Sequence, residues 1–487
     1  MDRDALADLA DLALAEVTRL GVEHADVRAR WEDSESIQVR DDAVEGVRRG
    51  SSSGVGIRVV HDGAWGFAGT HDDSPDAVRR AAQQAVEVAR GSARVRGRDD
   101  ARALLDDTPP SVGSYTTPHE RDPLEVPLGE KVDHLLAATN AARAAAGVSY
   151  VEASTDAWRT ATAYRDSSGG RIDQLVLQVG AGLSAYAIGG GEVQRRSYPN
   201  SFGGQYETGG WERVLLLDLA GGAPAAAREA MALLDAPDLP LREDAVLLLE
   251  SSQLALQVHE SVGHAVELDR ILGSEAAYAG TSWVTATDRG SLRYGSPLMT
   301  VIADATTPHA MGTFGFDDEG VPAGQAPIVT EGLLTGYLTD RQSAAALGER
   351  SNGTARADSW GAIPLIRMNN VSLQPREGDL DSIVADTDDG FLLLTNRSWS
   401  IDDRRLNFQF GCEAAYEIRG GQLGRLYRNP TYAGRTPDFW GSCDALGGPS
   451  DWKVWGVPNC GKGQPSQTAR VAHGAPTGRF RATVGVR

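Results

Sequence analysis

Val258-His259-Glu260-Ser261-Val262-Gly263-His264-Ala265-Val266-Glu267 lies in a run that reads as helix, just after the buried-type strand of residues 245–249. Neutral imidazole is the commonest side-chain metal ligand. A glutamate beside a metal-bound histidine is well placed to take a proton from a metal-bound water. The two histidines are five residues apart, not four. At roughly 100° per residue they would point about 140° apart on a regular helix. A single π turn, with its i→i+5 hydrogen bond, returns them to one side, and such turns recur at functional sites. Gly263 is expected to ease the backbone distortion. The alternative is an ordinary buried helix whose two histidines satisfy local hydrogen bonds.

Outward from this helix the two halves of the chain differ. Downstream, short apolar segments such as 299–302, 334–338, 390–394 and 414–418 are separated by Gly, Asp, Asn and Pro, the pattern of an antiparallel sandwich or barrel. Upstream, Ala236-Pro237-Asp238-Leu239-Pro240 breaks a helical stretch over 211–234 and marks the main boundary. Before it come a helix at 4–20, strands at 24–31, 36–40, 54–60 and 65–68, and a helix from about 75 to 89 that Ser74 and Pro75 begin. A second helix–hairpin–helix set follows at 130–146, 149–164, 171–187 and 211–234. Residues 93–128, with Pro109-Pro110, Pro118, Pro123 and Pro127, read as a connector. The expected fold class is α+β. An N-terminal domain over 1–236, made of 1–92 and 129–236, combines a mixed antiparallel sheet with helices. The C-terminal domain over 237–487 is mainly antiparallel β and carries the metal-binding helix.

A length of 487 residues exceeds one compact core. The formal net charge of −20 opposes binding to nucleic acid or to an anionic membrane. Three cysteines, all in the last fifth of the chain, do not form a disulfide framework. Met1-Asp2-Arg3-Asp4-Ala5 lacks the basic start and apolar core of a signal peptide. No run of about 18 apolar residues is present, so a cytoplasmic protein is expected.

A catalytic zinc usually has three protein ligands and an open position. The best third candidate is Cys460, in Gly456-Val457-Pro458-Asn459-Cys460-Gly461-Lys462-Gly463-Gln464, where turn residues let a thiolate approach and Lys462 favours its ionised form. Cys412 and Cys443 read as small buried hydrophobes. A carboxylate such as Glu267 or Glu413 in place of Cys460 is the alternative. Zinc exopeptidases of the dipeptidyl-peptidase III kind also carry His-Glu-x-x-Gly-His, but their acidic second motif finds only a loose echo in Cys412-Glu413 with Glu417.

With the cysteine motif in place, nearly the whole chain resembles the TldD/PmbA peptidases, specifically their metal-bearing TldD-type members. The resemblance rests on Gly54-Val55-Gly56-Ile57-Arg58-Val59, His259-Glu260-Ser261-Val262-Gly263-His264, Phe316-Asp317-Asp318-Glu319-Gly320 and Gly336-Tyr337-Leu338-Thr339-Asp340-Arg341. It continues in Pro364-Leu365-Ile366-Arg367-Met368-Asn369-Asn370, Arg428-Asn429-Pro430-Thr431-Tyr432 and Cys460-Gly461-Lys462-Gly463-Gln464. It implies a zinc peptidase with His259, His264 and Cys460 as ligands and Glu260 as general base. It also implies extended or unfolded peptides as substrates, and a dimer, either with itself or with a PmbA-type (TldE) paralogue lacking the metal motif. Some relatives carry an extra residue between the Gly-Lys and Gly-Gln after the cysteine.

Asp317, Asp318 and Glu319 are candidates to line the substrate cleft or to hydrogen-bond the histidine ligands, a turn being the plainer reading. Roles for Arg356, Asp358, Arg367 and Asn369 stay open. The competing functional class is a non-catalytic subunit that captures peptides for a partner to cut; such a scaffold has no need of Glu260.

Overall fold

The computed structural model describes residues 3–97, 102–278, 280–463 and 466–486. Met1, Asp2 and Gln464, used in the sequence reading, lie outside these, as do 98–101 of the connector. The N-terminal half runs α1 (Arg3–Arg19), β1 (His24–Arg40), β2 (Ala43–His61), β3 (Ala64–Thr70), α2 (Pro75–Val95) and β4 (Val112–Thr116). It continues with α3 (Leu128–Ala145), β5 (Tyr150–Asp166), β6 (Arg171–Gly189), β7 (Glu192–Tyr198), β8 (Gln205–Thr208), α4 (Trp211–Leu215) and α5 (Leu219–Asp235). All eight strands share one sheet in the order β3-β2-β1-β5-β6-β4, with β7 and β8 also on β6.

Three details depart from the sequence expectation. Strand β1 is continuous, because β2 and β5 pair with it on both sides and satisfy its backbone through the polar stretch 32–35. The connector contributes β4, which lies parallel to β6. The helical stretch 211–234 is split in two, because Asp218 takes φ +47° and its side chain accepts from the Gly221 N–H as a new cap.

Side chains alternate across this sheet with period two. Ala25, Val27, Ala29, Ile37 and Val39 of β1 are fully buried in the clusters formed with the helices. The opposite face meets the C-terminal domain. There Arg28 donates to the Ala362 carbonyl, Arg30 to Asp318, and Arg58 to Glu319 at 2.8 Å. Gly54 and Gly56 belong to this face: a Cβ on Gly56 would stand 2.1 Å from the Trp360 carbonyl oxygen. These glycines permit close approach of the two halves of the chain.

In the C-terminal half, β9 (Arg242–Leu249) pairs antiparallel with Gly478–Val484 and parallel with Asp389–Ile401. The circuit continues through Thr431–Arg435 and Asn407–Arg419 back to Asp389–Ile401, so five strands close on themselves. The barrel-like expectation therefore acquires one parallel pair, made possible by the long crossover between β9 and residue 389. Phe408, Phe410, Tyr432, Phe439, Trp440 and Phe480 belong to its core. Three helices of six residues each, Arg341–Ala346, Leu380–Ala385 and Thr436–Gly441, were not legible, being too short to display a helical period. Helix α6 (Ser251–Val258) starts two residues after β9 and is buried at every position but Leu256. No helix among the described residues is long and apolar enough to cross a membrane.

Candidate metal centre

Past Val258 the helix widens into a π turn over His259–Gly263, and the His264 N–H donates to the His259 carbonyl, the i→i+5 bond that the histidine spacing requires. The turn is fixed by its neighbours. Tyr294 Oη donates to the Ser261 carbonyl at 2.5 Å, Ser261 Oγ to the Gln257 carbonyl at 2.6 Å, and Trp440 Nε1 to Ser261 Oγ at 2.9 Å. Gly263 has an ordinary helical φ of −52°. Its small size is what matters: a Cβ there would stand 2.0 Å from Met368 Sδ. Room for the neighbour, not backbone freedom, is the reason for glycine.

Cys460 arrives on the strand Lys453–Lys462, which pairs with Gln467–Ala475 and shifts register between Val457 and Cys460. Such a bulge re-aims side chains. The donor atoms of His259, His264 and Cys460 all lie within 4.8 Å of one another, and all three residues are buried. Cys460 Sγ stands 3.5 Å from His264 Nε2. Donors sharing a tetrahedral zinc, with Zn–N and Zn–S near 2.05 and 2.3 Å, are about 3.6 Å apart.

The hydrogen bonds behind the rings assign their tautomers. His473 Nδ1 lies 2.8 Å from the Val371 carbonyl, so it carries hydrogen and His473 Nε2 is an acceptor. That acceptor is 2.7 Å from His259 Nδ1, which therefore donates and leaves His259 Nε2 with a free lone pair. His264 Nδ1 is 2.9 Å from Glu267 Oε2, which leaves its Nε2 free in the same way. Burial keeps both ligand-candidate rings neutral, lowering their pKa below the ordinary imidazole value. Backing of this kind orients metal-binding histidines and raises their basicity.

The sulfur is also prepared. Burial alone pushes the Cys460 thiol up, but His264, when its ring carries both protons, and the Arg367 guanidinium bring the pKa below the usual thiol range. Burial dominates at the other two free cysteines, pushing Cys412 well up and Cys443 to about 12. Lys462 acts elsewhere than the sequence reading assumed. Its Nζ lies 2.7 Å from Asp269, 2.7 Å from the Ile366 carbonyl and 3.4 Å from Glu267. Burial opposes the charge on Glu267, yet Lys462, His264 and Arg270 hold its carboxyl well below the usual range. A soft thiolate and two imidazoles with lone pairs converging on one point suit zinc. Among the described residues no fourth His, Cys, Asp or Glu joins the group.

A cleft of about 410 Å³ opens onto this point, lined by His259, Glu260, His264, Cys460, Arg405 and Trp399 among others. Glu260 Oε2 accepts from Arg405 Nη1 at 2.7 Å.

The remaining candidates stand elsewhere. Asp317 accepts the backbone N–H groups of Glu319, Val321 and Ala355, Asp318 binds Arg30 and the Ala357 N–H, and Glu319 binds Arg58 and the Arg341 N–H. Asp318 and Glu319 tie this segment to the N-terminal sheet, and Asp317 closes the local turn; none hydrogen-bonds His259 or His264, and none lines the cleft. The role of Asp318 and Glu319 is fixed by Arg30 of β1 and Arg58 of β2, which a local reading of Asp-Asp-Glu does not see. As an alternative third ligand, Glu267 is turned to the far nitrogen of His264, and Glu413 is taken up by Arg195, Arg196 and Ser197. Arg367 donates to the Cys460 carbonyl and, at 2.9 Å, to that of Gln467. The Asn369 side chain has no hydrogen-bond partner among the described residues. Sequence reasoning missed His473 and Arg405, which carry no local signal. It also missed the supporting role of Glu267, for which the spacing of three residues from His264 was a usable one.

Comparison with known proteins places this geometry in a family. Residues 25–89, 121–234 and 244–484 match, in turn, the models of PmbA/TldA metallopeptidase domain 1, central domain and C-terminal domain. A metalloprotease of Methanothermobacter thermautotrophicus is 30% identical over 461 residues, covering 94% of each chain. A zinc metalloprotease TldD homolog of Saccharolobus solfataricus is 23% identical over 231 residues, 47% of this chain and 48% of its own. The crystal structure of TldE from Thermococcus kodakarensis shares the fold, with a TM-score of 0.75 at 16% identity over 99% of each chain. Matched in all three domains and along nearly its whole length, the chain belongs to the PmbA/TldD metallopeptidase family.

Proposed function

We propose that the protein is a zinc metallopeptidase acting on extended or unfolded peptides, with His259, His264 and Cys460 holding Zn2+ and Glu260 as general base. The observation that carries this reading is the convergence of two Nε2 lone pairs and one thiol of lowered pKa at the floor of a cleft that Glu260 also lines. The metalloprotease names of the relatives agree, and one of them specifies zinc. Zinc held there would supply Lewis acidity toward water and toward a peptide carbonyl. Glu260 takes the proton of the attacking water on its carboxylate and returns it to the leaving amine. Arg405 orients that carboxylate through its Nη1. His473 and Glu267 hold the two rings in the tautomers that face the cleft.

The strand Lys453–Lys462 pairs only with Gln467–Ala475 among the described residues, and 456–461 line the cleft. A strand edge beside the site suits capture of an extended peptide by backbone hydrogen bonds, which is largely indifferent to sequence. For assembly, we propose pairing with a TldE-type paralogue or with a second copy. Elemental analysis of the purified chain, with mass-spectrometric mapping of products from an unfolded peptide mixture, tests the enzyme. One zinc per chain, lost in Cys460→Ala, and cleavage abolished in Glu260→Ala with zinc retained, are expected. Undiminished cleavage in Glu260→Ala would remove Glu260 as the base, and peptide bound but not cut by the unaltered chain would leave only a peptide-binding subunit. Light scattering of the chain with and without a co-expressed paralogue tests the pairing.

A further inference from the structure

Arg356 and Arg367, left open by the sequence reading, meet in a second place. A cavity of about 80 Å³ lies between the polar face of the N-terminal sheet and the C-terminal domain, and Arg30, Arg356, Arg367 and Arg470 all line it. Arg470 pairs with Glu32 at 2.7 Å, and Arg30 with Asp318. Arg356 and Arg367 have no carboxylate partner within 4.0 Å among the described residues. Arg356 Nη1 donates to the carbonyls of Arg470 and Met368 at 2.7 and 3.3 Å, leaving Nε and Nη2 without a hydrogen-bond partner among the described residues. Its guanidinium stacks 5.4 Å from the Phe314 ring centroid. Arg367, only 2% exposed, spends its donors on the Cys460 and Gln467 carbonyls, and its Nε is unpaired.

The acids on the same wall are engaged with other partners. Glu32 and Asp318 are engaged as above, and Asp358 accepts the Thr468 N–H at 3.2 Å. Asp317 spends both oxygens on the backbone N–H groups of Glu319, Val321 and Ala355. Burial and the neighbouring Arg367, Arg470 and Arg30 depress Arg356 to about 10. Two of the four guanidiniums, those of Arg356 and Arg367, thus face the cavity with no carboxylate partner of their own among the described residues. A buried cation without a counter-charge is costly, and the planar guanidinium fork matches the oxygens of a carboxylate or phosphate. At about 30 Å³ per water, the cavity has room for two or three waters or one compact oxyanion.

We propose that this cavity binds one compact oxyanion, gripped by Arg356 and Arg367, with Arg30 and Arg470 completing the ring. The oxyanion is either free, as phosphate or sulfate, or the carboxylate of a peptide. Because Arg30 lies on β1, the ligand ties the two domains together. Because Arg367 also holds the Cys460 carbonyl, the ligand stands one side chain from the candidate metal centre. The inference requires no metal and stands or falls apart from the peptidase reading.

Calorimetric titration of the full-length chain with phosphate, and separately with N-acetyl-alanyl-alanine and its amide, reads the site. Binding of phosphate alone identifies a free ion. Binding of the peptide acid, but not of its amide, identifies a peptide carboxylate. Either must weaken at least tenfold in Arg356→Gln at equal metal content. If that variant does not fold, crystals of the unaltered protein soaked in selenate decide: an anomalous peak within hydrogen-bonding distance of Arg356 is expected. Equal affinities in the unaltered chain and Arg356→Gln, or a soaked cavity holding only water, would overturn the proposal.

Discussion

The metal-centre cluster and the Asp317–Glu319 cluster are both buried, polar and rich in carboxylates, yet they differ in what they leave over. At the domain junction the acids accept from arginines of the sheet and from backbone N–H groups. Those groups are consumed in closing a turn and in tying the two halves of the chain together. Around His259 and His264 the outer nitrogens are tied by His473 and Glu267, and the inner ones are left free beside a thiol and an open cleft. A functional site is marked by unsatisfied valence that its surroundings hold in one direction. A list of residue types cannot show this.

The comparison can be broken at either end. The largest effect is expected from Glu260→Gln, which keeps the shape but cannot take a proton. Peptide cleavage should fall by roughly 10²- to 10⁴-fold, with zinc stoichiometry unchanged by elemental analysis. Full activity in this variant would remove the distinction between the clusters. Next is Asp318→Asn, which leaves the buried Arg30 without its counter-ion. A loss of about 3–5 kcal/mol is expected in urea unfolding, with zinc content per folded chain unaffected. Zinc lost from chains that remain folded would mean that the junction supports the metal centre after all.

Glu267→Gln sharpens the contrast, because it retains a hydrogen-bond acceptor for His264 Nδ1 and removes the charge. Zinc affinity should weaken by about 10- to 100-fold in competition with a chromophoric chelator. The smallest effect concerns Asp340, whose carboxyl burial and Glu319 raise to about 6. A raised carboxyl binds its proton more tightly in the folded state. Its stabilising contribution is therefore complete below about pH 4, the unfolded value, and is lost as pH rises through 6. Asp340→Asn keeps the helix-capping oxygen that accepts from Ser343 and loses this titration. It should be more stable than the parent at pH 7 by of order 2–3 kcal/mol, and little more stable at pH 4. An identical pH profile in the two proteins would show that Asp340 is not so perturbed.

How much was legible depended on the range of the interaction. The five-residue spacing of His259 and His264 called for a π turn, and the chain forms one, because helix geometry is local. The alternation along β1 and β2 gave a helix-facing side and a polar side, but not what the polar side meets. For Asp317, Asp318 and Glu319 a turn was the plainer reading and Asp317 forms one, while the partners of Asp318 and Glu319, Arg30 and Arg58, are more than 250 residues away in sequence and could not be read locally. His473 reaches His259 across 214 residues, and Arg405 reaches Glu260 across 145.

The sequence by itself determined the α+β class, the helix that presents two imidazoles and a carboxylate, and the cysteine motif able to join them. Periodicity, capping and turn chemistry act over a few residues, and those features need no more. Tertiary structure alone decided which lone pairs stay free, why Gly263 must be small, and which acids lock the domains. Each of these is a question of which distant donor or surface fills a group's remaining valence or space, and chain closure answers it, not local conformation.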